Sequence, residues 1–136
     1  MPKVLVAEDD RELRRFIVRI LQREGYSVTE AQDGDEAIKR ATEDKPDVLV
    51  LDLMMPIKDG FEVIEIIRRT EQLKDLPIVL NTALPPKSMP EKERNIIRGV
   101  VAHITKPFDY KDLLYKVKMA VKGENGSAPK TRTVVV

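Results

Sequence analysis

The stretch Val48-Leu49-Val50-Leu51-Asp52 is a run of four branched aliphatic residues that ends in a carboxylate, shortly after Pro46. Apolar residues without alternation are typical of a strand that is buried on both faces, as in a parallel sheet. Aspartate is disfavoured in strands and is rarely buried unless it is paired. Asp52 at the end of this strand therefore needs a charge partner or a reaction partner.

Four more apolar runs with the character of strands surround this one, at residues 3–7, 26–31, 77–82 and 100–105. The run at 26–31 is more polar, which places it nearer an edge. Between the runs, apolar residues recur at spacings of three and four, as in amphipathic helices. Five alternating strand–helix units predict an α/β fold with a doubly wound parallel sheet, in the flavodoxin-like order 2-1-3-4-5.

The fourth helix is predicted to be displaced or shortened. Pro85, Pro86 and Pro90 follow the fourth strand closely, and they prevent a helix from starting before about Met89. A short helix over residues 91–98 is then expected, and with it a distinctive surface for a partner protein.

The composition limits the class of protein. The chain has 136 residues, 42% hydrophobic, and 24 basic against 23 acidic side chains, which fits one globular domain without the basic surface of a nucleic-acid binder. It has no cysteine, which excludes disulfides and thiolate sites. No segment has the length of a signal peptide or membrane span, so we expect a cytoplasmic protein with no membrane insertion. We assign residues 1–122 to the domain and 123–136, rich in Gly, Ser, Pro and Lys, to a flexible tail.

Several polar side chains follow the strands of this predicted sheet. Glu8 and Asp9 end the first strand, Asp52 the third, Thr82 the fourth and Lys106 the fifth. The carboxyl ends of parallel strands meet at one edge, where ligands bind at the switch point between strands 1 and 3. Crowded carboxylates repel one another unless a cation such as Mg²⁺ neutralises them. Together these groups suit phosphoryl transfer to a carboxylate.

Each of these residues also has a structural interpretation. Acids at strand ends often cap helices, and we assign Asp10 only that role. Glu8 or Asp9 alone could equally be structural, and a single Lys-Pro or Thr is a weak signal. Asn81, a polar residue in a buried strand, receives no role.

Four motifs, taken together, identify a family. They are Val-Leu-Val-Ala-Glu8-Asp9-Asp10, Leu-Asp52-Leu-Met-Met-Pro56-Ile-Lys-Asp59-Gly60, Thr82-Ala83 and Lys106-Pro107-Phe108. Over residues 3 to 122 the chain resembles the receiver domain of two-component response regulators, in its single-domain, chemotaxis-type form.

The resemblance implies a role for each site residue. Asp52 would be the phosphoacceptor, phosphorylated by a sensor histidine kinase or a phosphotransfer protein. Asp9 would bind Mg²⁺ directly and Glu8 through water, with further ligands from Asp52 and the backbone carbonyl of Met54. Thr82 and Lys106 would stabilise the phosphoryl group, and a downstream protein would contact the face made by helix 4, strand 5 and helix 5.

Two features depart from the family pattern. His103 stands where the family usually has the Tyr or Phe of a rotamer switch. It either fills the same space, carries the switch, or adds pH sensitivity. Met54 and Leu84 lie two residues after Asp52 and Thr82, where side chains influence hydrolytic water in the family. Both are apolar, so we expect slow self-dephosphorylation, on the order of many minutes or longer.

Alternative functions remain to be weighed. The leading interpretation is a stand-alone phosphoacceptor switch that acts through protein contact. The second is the regulatory part of a longer response regulator with a DNA-binding or enzymatic output domain. An aspartate-nucleophile phosphatase would need an acid at Met54, so we expect no enzyme beyond assistance to its own phosphorylation and dephosphorylation. A complete site argues against a pseudo-receiver.

Overall fold

The computed structural model describes residues 2–123 of the chain. Strands and helices alternate throughout: β1 (Lys3–Ala7), α1 (Arg11–Arg23), β2 (Ser27–Ala31), α2 (Gly34–Asp44), β3 (Val48–Leu51), α3 (Gly60–Arg69), β4 (Ile78–Thr82), α4 (Glu91–Ile96), β5 (Ala102–Thr105) and α5 (Tyr110–Lys122). The domain boundary at residue 122 stays a prediction, and residues 124–136 of the predicted tail lie outside the described residues.

The five strands form one parallel sheet in the order β2-β1-β3-β4-β5. The predicted fold class, strand order and edge position of β2 are therefore confirmed. β5 begins at Ala102 rather than at residue 100, because a 3₁₀ turn at Ile97–Gly99 first brings the chain back to the sheet.

Two apolar layers cover the sheet. One face packs against α2, α3 and α4, with Leu5, Leu49 and Leu80 at its centre. The opposite face packs against α1 and α5, with Val6, Val50 and Val79 inward. The uninterrupted apolar character of β3 follows from this, because its successive side chains point alternately into the two layers.

The fourth helix is short, as the three prolines predicted. A 3₁₀ turn at Pro86–Ser88 comes first, and α4 then spans only six residues. Met89 between the two is buried, and its carbonyl oxygen accepts a hydrogen bond from Arg94 Nη1 at 2.6 Å. This segment is thus held by one buried side chain and one guanidinium.

Aspartates cap most of the helices that follow the strands. Asp10, Asp33, Asp59 and Asp109 each accept a hydrogen bond from a backbone N–H of the following helix, which satisfies donors that have no partner inside the helix. Asp10 is the cap that the sequence predicted. Among the described residues, no helix is long and apolar enough to cross a membrane.

The loop after β3 contains a backbone conformation that the sequence did not indicate. Ile57 has a φ of 71°, in the left-handed region that β-branched residues rarely adopt. Nearby, a Cβ on Gly60 would lie 2.6 Å from Cα of Leu53. The close approach of α3 to the end of β3 therefore requires glycine at this position.

Candidate functional site

Three carboxylates meet at the carboxyl edge of the sheet. Glu8 and Asp9 directly follow β1, and Asp52 directly follows β3, its neighbour in the sheet. One carboxylate oxygen from each lies within 4.8 Å of the others. Glu8 and Asp52 are 2% and 4% exposed, whereas Asp9 is open to solvent. Two acids of the cluster are therefore buried, and the third can be reached from solvent.

A lysine from β5 reaches into this cluster. Lys106 Nζ donates to Oε1 of Glu8 at 2.9 Å and lies 3.4 Å from Oδ2 of Asp52. One ammonium thus forms ion pairs with two buried carboxylates. It compensates part of their negative charge, and the remaining charge of the three acids is open to a further cation.

Backbone groups fix the two buried acids. The Asp52 amide donates to the carbonyl of Ala7 at 3.0 Å, and Oδ1 of Asp52 accepts from the Met54 amide at 3.2 Å. Oε2 of Glu8 accepts from the Asp10 amide at 3.1 Å. Both carboxylates are therefore oriented before any ligand binds.

Burial is the largest single influence on the pKa values of the groups in the cluster. Burial raises the pKa of Glu8 to about 7; the Asp52 charge adds to this shift, and the bond to Lys106 opposes it. Burial also raises the pKa of Asp52, against the lowering effect of Lys106. For Lys106 itself, burial works to lower the pKa, but the bond to Glu8 and the charges of the two acids together raise it. The ammonium stays charged while the acids remain under-compensated.

This donor set fits Mg²⁺. The ion prefers carboxylate and carbonyl oxygens, is held through a few carboxylates and keeps several waters. The cluster supplies three carboxylates, one of them exposed. Burial raises the pKa of Glu8 and of Asp52 despite the nearby Lys106, and a bound cation would favour the charged form of both acids.

Two predicted site residues in the described part of the chain, on β4 and β5, make no hydrogen bond to Asp52. Thr82 is fully buried, and its Oγ1 accepts from the Leu84 amide at 3.2 Å. His103 is 4% exposed on β5, and its carbonyl accepts from Lys116 Nζ at 3.0 Å. Within residues 2–123, no hydrogen bond or ion pair joins Thr82 or His103 to Asp52.

One buried residue near the site was missed by the sequence interpretation. Asn81 is 1% exposed, and neither polar atom of its side chain has a hydrogen-bond partner among the described residues. Its only signal in the sequence was an amide in an otherwise apolar strand. The strand register needed to relate it to Asp52 comes from the fold.

Comparison with known proteins gives the family. The model of the response regulator receiver domain family matches residues 4–118. This chain belongs to that family. Receiver domains are the phosphoacceptor modules of two-component systems and generally use Mg²⁺. The fold, the acid cluster and the lysine are features that such a domain needs.

Individual relatives cover both forms of the family. RpaA of Synechocystis sp., described as a DNA-binding dual master transcriptional regulator, is 34% identical over 90% of this chain and 50% of its own length. CheY4, a chemotaxis response regulator of Vibrio cholerae, is 32% identical with a TM-score of 0.79, over 88% of this chain and 98% of that one. TrrA of Thermotoga maritima, solved with Mg²⁺-BeF, is 31% identical with a TM-score of 0.76, over 88% and 99%.

The receiver domain spans about half the length of the curated relatives that it matches.

Proposed function

We propose that Asp52 is the residue that accepts the phosphoryl group, from a histidine kinase or a phosphotransfer protein. The observation that carries this proposal is the position of Asp52, whose carboxylate lies at the buried centre of the acid cluster and within 3.4 Å of Lys106. Glu8 is also buried, but it already accepts hydrogen bonds from Lys106 and the Asp10 amide, and Asp9 is exposed.

The transfer conserves atoms and charge. An Asp52 oxygen forms a bond to phosphorus while the bond from phosphorus to the imidazole nitrogen of the donor breaks, and that nitrogen keeps the electron pair. The Met54 amide holds the carboxylate in place for attack. Lys106 is positioned to follow the phosphoryl oxygens, and the hydroxyl of Thr82 to donate to them, because both lie at the same sheet edge.

Glu8, Asp9 and Asp52, with the backbone carbonyl of Met54, are the proposed ligands of Mg²⁺. When bound, the ion supplies charge neutralisation for the phosphoryl oxygens. The residues themselves orient the nucleophile and keep the floor of the site dry. The solved structure of TrrA, which is 31% identical, holds Mg²⁺-BeF and supports Mg²⁺ as the ion.

The output surface is proposed to be the face of α4, β5 and α5. α4 is shortened to six residues and follows a 3₁₀ turn, and Tyr115 on α5 is 60% exposed. A downstream protein would meet an altered helix and an exposed aromatic ring there. His103, linked to α5 through Lys116, lies where β5 meets this face and is the proposed switch position.

Two arrangements of the whole protein are compatible with this chemistry. The likeness to CheY4, a chemotaxis response regulator, fits a switch that acts through protein contact, and we propose this form first. The half coverage of RpaA favours a regulatory domain attached to an output domain. The mass of the native gene product decides between them. We also propose a cytoplasmic location, where histidine kinases draw on ATP.

Acetyl phosphate tests the chemistry directly. Wild-type protein with Mg²⁺ is expected to gain the mass of one HPO₃ unit, and Asp52→Asn is expected to gain none. Asp10→Asn is the matched control, because asparagine caps a helix as well as aspartate does. Uptake of equal mass by Asp52→Asn would show that another residue is the acceptor.

A further inference from the structure

Asn81 lies in the same row of the sheet as the acids of the site. Ala7 pairs with Leu51, and Leu51 with Leu80. The next residues along these strands are Glu8, Asp52 and Asn81. β1 and β3 have ended at this row, and β4 ends one residue later, at Thr82. Neighbouring strands are about 4.8 Å apart, so the carboxylate of Asp52 has Glu8 on one side and Asn81 on the other.

The three side chains also share one face of the sheet. Val6, Val50 and Val79, each two residues earlier, all pack into the layer under α1 and α5. Side chains two residues apart on a strand point to the same face. Glu8, Asp52 and Asn81 are 2%, 4% and 1% exposed, so the row that contains the two buried acids of the site is buried along its length.

The Lys106 side chain extends over the carboxyl ends of these strands. Lys106 follows β5, and β4 separates β5 from β3 and β1. The Nζ atom of Lys106 lies 2.9 Å from Glu8 and 3.4 Å from Asp52, so the lysine side chain crosses the end of β4. β4 is the strand that carries Asn81.

The resting arrangement does not use this carboxamide. Lys106 is bonded to Glu8, and the Met54 amide occupies Oδ1 of Asp52. Neither Oδ1 nor Nδ2 of Asn81 has a partner within residues 2–123. A buried, unpaired amide costs free energy, and replacing it with an apolar side chain of similar size is often neutral or stabilising. Asn81 is therefore a poor structural residue in the resting protein.

We propose that Asn81 is a positioning residue for the phosphoryl transfer. A phosphoryl group on Asp52 adds about −1.5 to −2 of charge and draws Lys106 away from Glu8. The carboxamide, with two N–H donors and one acceptor, then donates from Nδ2 to Asp52 and accepts from Lys106 at Oδ1. These bonds form as the O–P bond forms and are absent at rest. The inference rests on Asp52 being the phosphoacceptor.

The test compares stability with phosphorylation. In the resting state, Asn81→Leu is expected to resist denaturant as well as the wild type or better. With acetyl phosphate and Mg²⁺, its maximal phosphorylation rate is expected to fall roughly two- to tenfold, the worth of an ordinary net hydrogen bond. The half-saturating concentration of acetyl phosphate should not change, because the bonds are made to Asp52 and Lys106 rather than to the donor.

Two further variants keep the test decisive. Ile104→Val alters the cross-strand partner of Asn81 without removing a polar group, and it should match the wild-type rate. Asn81→Val repeats the measurement with a strand-favouring residue if the leucine variant does not fold. An unchanged maximal rate in the Asn81 variants would overturn the inference, as would a loss of rate that parallels a loss of resting stability.

The measurements separate the proposed role of Asp52 from that of Asn81. If wild-type protein takes up no phosphoryl group, the assignment of Asp52 is wrong. If wild type and Ile104→Val are phosphorylated at the same rate as Asn81→Leu, only the role of Asn81 is wrong.

Discussion

The ammonium of Lys106 donates to Oε1 of Glu8 at 2.9 Å, across 98 residues of sequence. This bond joins β5 to β1 over the ends of the two strands between them. It is shorter than the 3.4 Å contact of the same ammonium with Asp52. In the resting protein the lysine is therefore held mainly by Glu8 rather than by Asp52, the proposed phosphoacceptor.

Removal of this lysine should destabilise the metal-free protein. Lys106→Met leaves two buried carboxylates without their cation. We expect a loss of about 1–3 kcal/mol in the free energy of unfolding. This loss is smaller than for a fully buried ion pair, because Lys106 is partly exposed. Adding Glu8→Gln should recover part of this loss, which a double-mutant cycle in denaturant measures. Additive effects of the two changes would show that the bond contributes little.

Mg²⁺ should stabilise the protein through the acid cluster. We expect its unfolding temperature to rise with Mg²⁺ concentration, since the ion binds the folded chain. Asp52→Asn should be more stable than wild type without the ion, because one repelling buried charge is gone, and should respond less to it. Asp10→Asn keeps the helix cap and should respond like wild type. Equal responses of all three proteins would place the ion elsewhere.

His103 should make stability depend on pH. Burial lowers its pKa from 6.5, and the charge of Lys116 adds to this, so the fold favours the neutral ring. The stability that the neutral ring provides is present above the unfolded pKa and is lost as the pH falls below it.

His103→Phe removes this dependence. The difference in unfolding free energy between variant and wild type should shift in favour of the variant between about pH 7 and pH 5, as measured by urea denaturation. His103→Tyr, with the aromatic group usual in the family, is expected to behave in the same way. A difference that stays constant with pH would mean that the ring does not titrate in this range.

Ile57 should be a site of backbone strain that glycine relieves. Its φ of 71° disfavours a β-branched residue, and such conformations cost about 1–3 kcal/mol. The side chain is 67% exposed, so little packing is lost. Ile57→Gly is expected to raise the free energy of unfolding by about 1 kcal/mol after allowing for the greater chain entropy of glycine. Ile57→Val keeps the branch and should give no gain.

Met54 should limit hydrolysis of the phosphorylated form. It lies two residues after Asp52, is 64% exposed and is apolar, so it cannot orient a water molecule. We expect a phosphoaspartate lifetime on the order of many minutes or longer, shortened by Met54→Glu because a carboxylate can hold a nucleophilic water. Intact mass followed after removal of acetyl phosphate measures it. A wild-type lifetime of seconds would contradict this prediction.

Most of the fold could be predicted from local sequence patterns. The apolar run of β3, the aspartate caps and the prolines before α4 each act on residues that are close in the chain, so their effects could be predicted. Strand ends in a parallel sheet meet at one edge whatever the loops do, and for this reason the acids and Lys106 could be placed together in advance.

The strained turn and the unpaired amide could not be predicted in this way. The positive φ of Ile57 is imposed by the packing of the β3–α3 loop, and an isoleucine in a loop gives no sign of it. The proposed role of Asn81 depends on the strand register, in which Leu80 pairs with Leu51 and Asn81 and Asp52 are the next residues.

The sequence by itself thus determined a receiver fold and the residues at its functional edge, because periodicity, capping and strand order are local or topological properties. Only the tertiary structure decided which partner Lys106 holds at rest, how deeply Glu8 and Asp52 are buried, and that Asn81 has no partner among the described residues. Those properties depend on distances between segments far apart in the chain, and such distances are fixed by packing of the whole domain.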